Sequence, residues 1–450
     1  MRILLNNLQS CPQTTKSAYT VEQERILSML RSSHLLCSVR TIWRPIVVTF
    51  CAFALAGCSW FSWLPWVGDD DDKADETKPM ELVSFTPELD IKRSWRSSVG
   101  EGLGRKYVRL SPALVADRIV AADAYGRVVA FDRFNGKRVW SQQVQDLEGG
   151  FFSSINFIDR RDPSFVGGGV GVGAGMAYVG TTFGEVIALN VSDGSEAWRV
   201  NLGSEVLSTP STGDGAVFAQ TIDGRLVALE DDDGTLRWSF DNQVPILTLR
   251  GTSSPVVADG IVYAGFANGK ISALRTENGE PIWEHRVMLP EGRSELERMV
   301  DVDGRPLVSG GVVYVGAFQG RVKGVSRRDG RPRWEQEIST FLDLAEGYDQ
   351  VYAVGADDII SAIDQNSGEV VWTQENFQRR KLTAPIAFSN YVAFGDDQGY
   401  LHVIAQRDGR LMGRRKIDGD GIRSNLVYQD STLFVQDNSG GLHALTLELR

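Results

Sequence analysis

Few residues in this sequence have the type and spacing for chemistry. Histidines 285, 402 and 443 stand alone, each without a second histidine, cysteine or carboxylate at a metal-ligand spacing or a serine nucleophile in a recognisable motif. They are expected at the surface or in turns. The run "GGGVGVGAG" (167–175) has the glycines of a phosphate cradle, but it leads into the strand-like "MAYVG" instead of a helix, so it offers no helix N-terminus to an anion. It is expected as a loop. "EDDDGT" (230–235) has the acidic start of a calcium loop without the downstream glutamate, and reads as a hairpin turn. What remains is one thiol, Cys58, and two loop-like segments that mix leucine, arginine and aspartate.

Cys58 closes "RTIWRPIVVTFCAFALAGCS", in which Arg40 and Arg44 precede an apolar segment from Ile46 to Ala56. Such a segment is too short to span a bilayer and suits the middle of a signal peptide. Leu55-Ala56-Gly57-Cys58 resembles a bacterial lipobox, which implies acylation of Cys58 after cleavage; Ser59 behind it implies sorting to the outer membrane. Residues 1–57 are therefore expected as signal peptide, with Met29 the better start. Cys11, Cys37 and Cys51 would be discarded with it, leaving a fold without disulfides. The segment before Cys58 holds six basic and two acidic residues, so its removal takes the formal charge from −11 to −15. That balance argues against nucleic acid as a partner.

Residues 58–89 are expected as the lipidated cysteine and a flexible tether of roughly 30 Å root-mean-square span. Trp60, Phe61, Trp63 and Trp66 suit a headgroup boundary, and Asp69 to Asp72 end any packing.

From about residue 90 to 450 the chain repeats. "MAYVGTTFGEVIALNVSDGSEAW" ending at Trp198 and "IVYAGFANGKISALRTENGEPIW" ending at Trp283 show the unit: strand, glycine turn, strand, second turn, tryptophan. A small residue stands ten positions before each tryptophan (Ala130, Ala188, Ala228, Ala273, Gly324, Ala362) and a glycine four before it. Alternating apolar residues make half-buried strands, glycine permits the tight turns, and tryptophan gives a broad plate between neighbouring sheets. Four strands per roughly 41 residues is a β-propeller blade. The seventh unit has Gly413 at the tryptophan position, and the eighth stops at Arg450 before its last strand. "IKRSWRSSV" near residue 95 is a lone strand that can complete it. The expectation is an all-β, eight-bladed propeller of four-stranded antiparallel blades, its last blade closed by the N-terminal strand.

"AFDRFNGKRVW" ending at Trp140 resembles the tryptophan-docking motif of quinoprotein-type propellers. Lipobox, single mature cysteine and eight units together resemble the outer-membrane protein assembly factor BamB (YfgL) lipoprotein family over Cys58 to Arg450. "VPILTLRGTSSP" (244–255) and "SELERMVDVDGRP" (294–306) resemble two segments with which that family binds the barrel subunit BamA. The resemblance implies partner-binding roles for Leu247, Leu249, Arg250, Asp301 and Asp303, no cofactor, other assembly-machine components as partners, and help to unfolded outer-membrane proteins.

Spacing points to the same segments. The intervals Trp140 to Trp198, Trp238 to Trp283 and Trp283 to Trp334 exceed the repeat by about 17, 4 and 10 residues, all between one blade's last strand and the next blade's first. Long loops on a rigid scaffold are where binding concentrates. On the residues alone, Leu247 and Leu249 could equally face the core, and the aspartates could cap a turn, neutralise Arg250 or receive a partner's cation. The alternative for the whole chain is a periplasmic quinoprotein-like enzyme or small-ligand-binding propeller, against which stands the lack of a cysteine pair in the mature chain.

Overall fold

A computed structural model describes residues 78–103, 108–145, 165–245, 247–249, 251–294 and 296–450. Cys58, the aromatic cluster after it and Arg250 lie outside the described residues. The described residues form eight four-stranded antiparallel sheets arranged as a propeller. Blades 1 to 7 are continuous in sequence, at 113–143, 166–201, 211–241, 256–286, 307–336, 345–374 and 386–416. Blade 8 joins Val427–Gln429, Thr432–Gln436 and Gly441–Leu449 to the N-terminal strand Leu89–Ser98, which pairs along the last of these from Leu89↔Leu449 to Ser98↔Gly441. The ring closes by hydrogen bonding between its two ends, leaving no open end to template pairing.

Burial explains the repeat. In each blade the second and third strands lie between neighbouring sheets and are buried throughout or nearly so; Glu185–Asn190, for instance, buries Val186 to Leu189 completely. In blades 1 to 5 the outermost strand buries its tryptophan alone, as Trp140 in Arg138–Gln143. The small residue ten positions earlier pairs directly with it: Ala130↔Trp140, Ala188↔Trp198, Ala273↔Trp283 and Gly324↔Trp334. A larger side chain there would displace the ring.

Each tryptophan then docks on the next blade. Trp238 donates its indole N–H to the carbonyl of Thr276 at 2.9 Å, and a Cβ on Gly279 would lie 2.7 Å from its ring. The glycine is required twice over, by that approach and by its φ of 72°. Trp95 docks in the same way on the Arg133 carbonyl and Gly136, which identifies Leu89–Ser98 as the outer strand of blade 8.

Three expectations change. The glycine run is not a loop: Val166–Gly173 is the innermost strand of blade 2, where a Cβ on Gly171 would stand 2.0 Å from the Pro210 carbonyl oxygen. Glycine lets this strand lie against the backbone of blade 3. His402 and His443 are not surface or turn residues; they lie in third strands, fully buried, each bonded to an aspartate six positions earlier (Asp396 at 2.9 Å, Asp437 at 2.8 Å). A buried imidazole needs such a partner, and the i, i+6 relation across a hairpin turn is invisible to a search for metal-ligand spacing. His285 is half-buried in Pro281–Arg286. Finally, the tether expected over 58–89 is held from residue 78 onward, because arginines of the 375–385 connection and of blade 7 bond its backbone.

Candidate functional site

An up-and-down blade places its second-to-third turn and its exit to the next blade on one side. The structure has this arrangement, since the exit N–H of Asn242 donates to Gly224 at 3.1 Å and that of Val287 to Gly269 at 2.8 Å. The extra-long connections 242–255 and 287–306 therefore share one face, here called the connection face.

The two loops brace each other. The N–H of Leu249 donates to Asp301 Oδ2 at 3.1 Å, and Ser253 Oγ donates to the Gly304 carbonyl at 3.0 Å. A Cβ on Gly251 would meet the Asp303 carboxylate at 3.1 Å. Asp301 is itself fixed through a bridge with Phe318, whose N–H donates to its carbonyl at 2.7 Å. Asp301 is 1% exposed. Burial, then the neighbouring Asp303 charge, push its carboxyl well above the usual range. Burial raises Asp303 as well, against the pull of the Arg109 guanidinium.

Of the five expected contact residues, the structure thus brings Leu249, Asp301 and Asp303 together. Leu247 lies at the surface, 45% exposed, on the loop that Asp301 holds. Leu249 is half-buried, neither core nor fully outward. Arg250 lies outside the described residues. Sequence reasoning passed over Leu289 and Leu296, which are 60% and 63% exposed on the second loop; a leucine within "SELERM" was the available signal. The loop holding Leu296 is ordered by Glu297, whose carboxylate accepts the N–H groups of Arg293 and Ser294.

Beside Leu249 opens a cavity of about 470 Å³ at the mouth of the central channel. Its rim carries Arg109, Phe318, Phe341, Asp303, Asp343 and Asn425. Arg109 stacks 5.0 Å from the Phe341 ring centroid and donates to the Phe341 carbonyl at 3.2 Å. No local sequence signal could have found this contact, because ring closure brings Arg109 beside a residue 232 positions away. Asn425 and the N–H of Arg305 hold Asp343 in place. The rim supplies apolar contact and charge; among the described residues no group of three or more His, Cys, Asp or Glu is placed to hold a metal ion.

Comparison with known proteins bears on the propeller as a whole. Residues 81–158 and 158–374 match the family model described as outer membrane protein assembly factor BamB. The outer membrane protein assembly factor BamB of Pseudomonas aeruginosa is 38% identical over 405 residues, 90% of this chain and 99% of the relative. That of Salmonella typhimurium is 35% identical over 392 residues, 87% of this chain and 96% of the relative. The crystal structure of BamB from Moraxella catarrhalis superposes with a TM-score of 0.70 at 26% identity, covering 79% of this chain and all of that one. Quinohemoprotein alcohol dehydrogenase from Comamonas testosteroni shares the fold at a TM-score of 0.63 but only 14% identity, with 79% of this chain and 76% of that chain covered. Family model, relatives and propeller fold converge: this chain belongs to the family of outer membrane protein assembly factor BamB.

Proposed function

We propose that the chain is a non-enzymatic lipoprotein of the machinery that assembles β-barrels in the outer membrane, and that its connection face binds the BamA-like barrel subunit. In this reading acylated Cys58 holds the protein to the outer membrane with the propeller in the periplasm. Leu247 and Leu249 supply the apolar contact and Arg250 the charge, while Asp301 and Asp303 act from behind by holding the loop. The site rests on the bond from the Leu249 N–H to buried Asp301, two residues along the loop from the exposed Leu247. A pre-ordered loop loses little conformational freedom on binding, so its apolar contact is available as affinity. An exposed leucine beside arginine on such a loop has the make-up of an interface anchor.

Affinity capture from envelope extracts tests the reading, with Leu249→Ala/Arg250→Ala beside the unaltered chain. Loss of the barrel subunit from the variant supports the site; equal recovery refutes it. Stoichiometric binding of pyrroloquinoline quinone with calcium would overturn the non-enzymatic reading itself.

A further inference from the structure

Blade 7 departs from the repeat twice. Its outer strand Leu411–Lys416 has glycine for tryptophan, and it carries Arg414 and Arg415 side by side. The space at Gly413 and the Arg415 side chain serve Leu89 and Ile91 of the N-terminal strand, whereas Arg414 serves residues 78–88. The N–H of Met80 donates to the Gln378 carbonyl at 3.0 Å, and Arg379 Nε donates to the Lys78 carbonyl at 2.8 Å. Arg414 donates to the Val83 carbonyl at 2.9 Å and lies 5.1 Å from the Phe85 ring centroid. At the far end Glu88 donates its N–H to Met412 at 2.9 Å, pairs with Arg410 at 3.2 Å and bends into Leu89–Ser98. Arg415 bonds the Ile91 carbonyl just beyond.

The deepest of these contacts is built from inside the blade. Arg380 is 2% exposed, pairs with fully buried Asp396 at 2.6 Å and donates through Nη1 to the Met80 carbonyl at 2.9 Å. His402 holds the same Asp396 oxygen at 2.9 Å. Burial alone would raise Asp396; His402 and Arg380 bring it below its usual value, so the carboxylate stays charged and the guanidinium stays aimed. A positioned charged donor on a backbone carbonyl is among the stronger hydrogen bonds a protein makes.

Direction gives this docking its consequence. Leu89 lies at the end of blade 8 opposite the connection face, whereas Gln378 to Arg380 belong to the connection between blades 6 and 7. Residues 80–88 cross the blade edge from one side to the other. We propose that the outer edge of blade 7 is a docking site for residues 78–88 of the chain's own N-terminal segment, and that this strap makes the lipid-bearing N-terminus depart from the face that carries the Leu247 loop. It also shortens the reach: from Cys58 to Lys78 the fully extended chain spans at most about 70 Å, against about 110 Å from Cys58 to Leu89. The strap itself stands on the geometry above; its role in facing the binding loops toward the membrane rests on the proposed function.

Spin labels on the mature chain carrying Cys58→Ala test the strap. Lys78→Cys is paired with Phe183→Cys, an exposed turn residue on the connection face, or with Phe134→Cys on the opposite face. Both pairs should give narrow distance distributions that broaden at least about twofold in Arg379→Ala/Arg414→Ala, while the Phe183→Cys/Phe134→Cys reference pair stays unchanged. Broad distributions in the unaltered strap, or none of the expected broadening in the variant, would overturn the docking. Facing is read separately, on the lipidated chain bound to phosphatidylethanolamine–phosphatidylglycerol vesicles. Energy transfer to a bilayer-surface dye should be at least about twofold greater from position 183 than from 134, and the arginine variant should erase the difference. Equal transfer with an intact strap would overturn the facing role. Neither measurement contains the barrel subunit, so failure of the partner assignment would leave the docking result standing.

Discussion

Val403 faces Gly413 across the third and fourth strands of blade 7, in the register where Ala362 faces Trp372 in blade 6 and Ala444 faces Trp95 in blade 8. Large and small have exchanged places. The space beyond Gly413 is taken by the N-terminal strand, since a Cβ there would already lie 3.3 Å from Leu89 and 3.4 Å from Ile91. Blade 7 exchanges the ring for contact with the strand that closes the propeller.

Restoring the repeat should therefore harm it. Gly413→Trp is expected to cost about 1–3 kcal/mol through overpacking, and Val403→Ala in the same chain should not recover it, because Leu89 and Ile91 still occupy the space. Thermal unfolding checks this. A more stable Gly413→Trp chain would show that the N-terminal strand is not what excludes the ring.

Two glycines a few residues apart should respond differently to alanine. Gly175 has φ 78° but nothing within 4 Å of its Cβ position, so Gly175→Ala should cost about 1–2 kcal/mol of backbone strain. Gly171→Ala should cost more, since its Cβ meets the Pro210 carbonyl oxygen at 2.0 Å and only backbone movement can relieve it. Denaturant midpoints would rank the pair, and the reverse order would contradict the close packing of blades 2 and 3.

Asp301 gives a pH signature. Its carboxyl is held above the unfolded value chiefly by burial. A raised folded-state pKa means stability that is full below the unfolded pKa and is lost as pH rises toward the folded one. Asp301→Asn keeps the acceptor for the Leu249 N–H and removes the ionisation. The variant should gain stability over the parent as pH rises from 5 to 8, as read from paired melting curves; a difference that is flat or shrinks with pH would contradict the burial of this carboxylate.

Anchoring has its own test. Cys58→Ala removes the acylated thiol, and the chain should then fractionate with soluble periplasmic protein. Tight membrane association of the variant would assign anchoring to the aromatic cluster or to a partner.

Most of the architecture was legible because blades 1 to 6 repeat one solution: the tryptophan, the small residue opposite it and the glycine it docks on all recur at fixed spacing. The closing strand was legible from Trp95 and from the truncated eighth unit. The glycine run was misread because close backbone approach and loop chemistry call for the same residue. Buried His402 and His443 were misread because their partners sit across a turn. At the candidate site, loop length and leucine content marked the segments, but Asp301 is held by a backbone bridge to Phe318 of the next blade. No local pattern encodes that contact. The strap was hidden for the same reason, as its arginines lie some 300 residues from the backbone they hold.

In the proposed function, the Leu247 loop held by Asp301 is the surface the barrel subunit recognises. The direct measurement is the dissociation constant between the purified mature chain and the periplasmic part of the BamA-like subunit, for the parent, Leu247→Ala and Leu249→Ala/Arg250→Ala. Weakening of at least about tenfold is expected in each variant, equivalent to about 1.4 kcal/mol, with melting temperatures close to the parent's. Affinities equal to the parent's in both folded variants would contradict it.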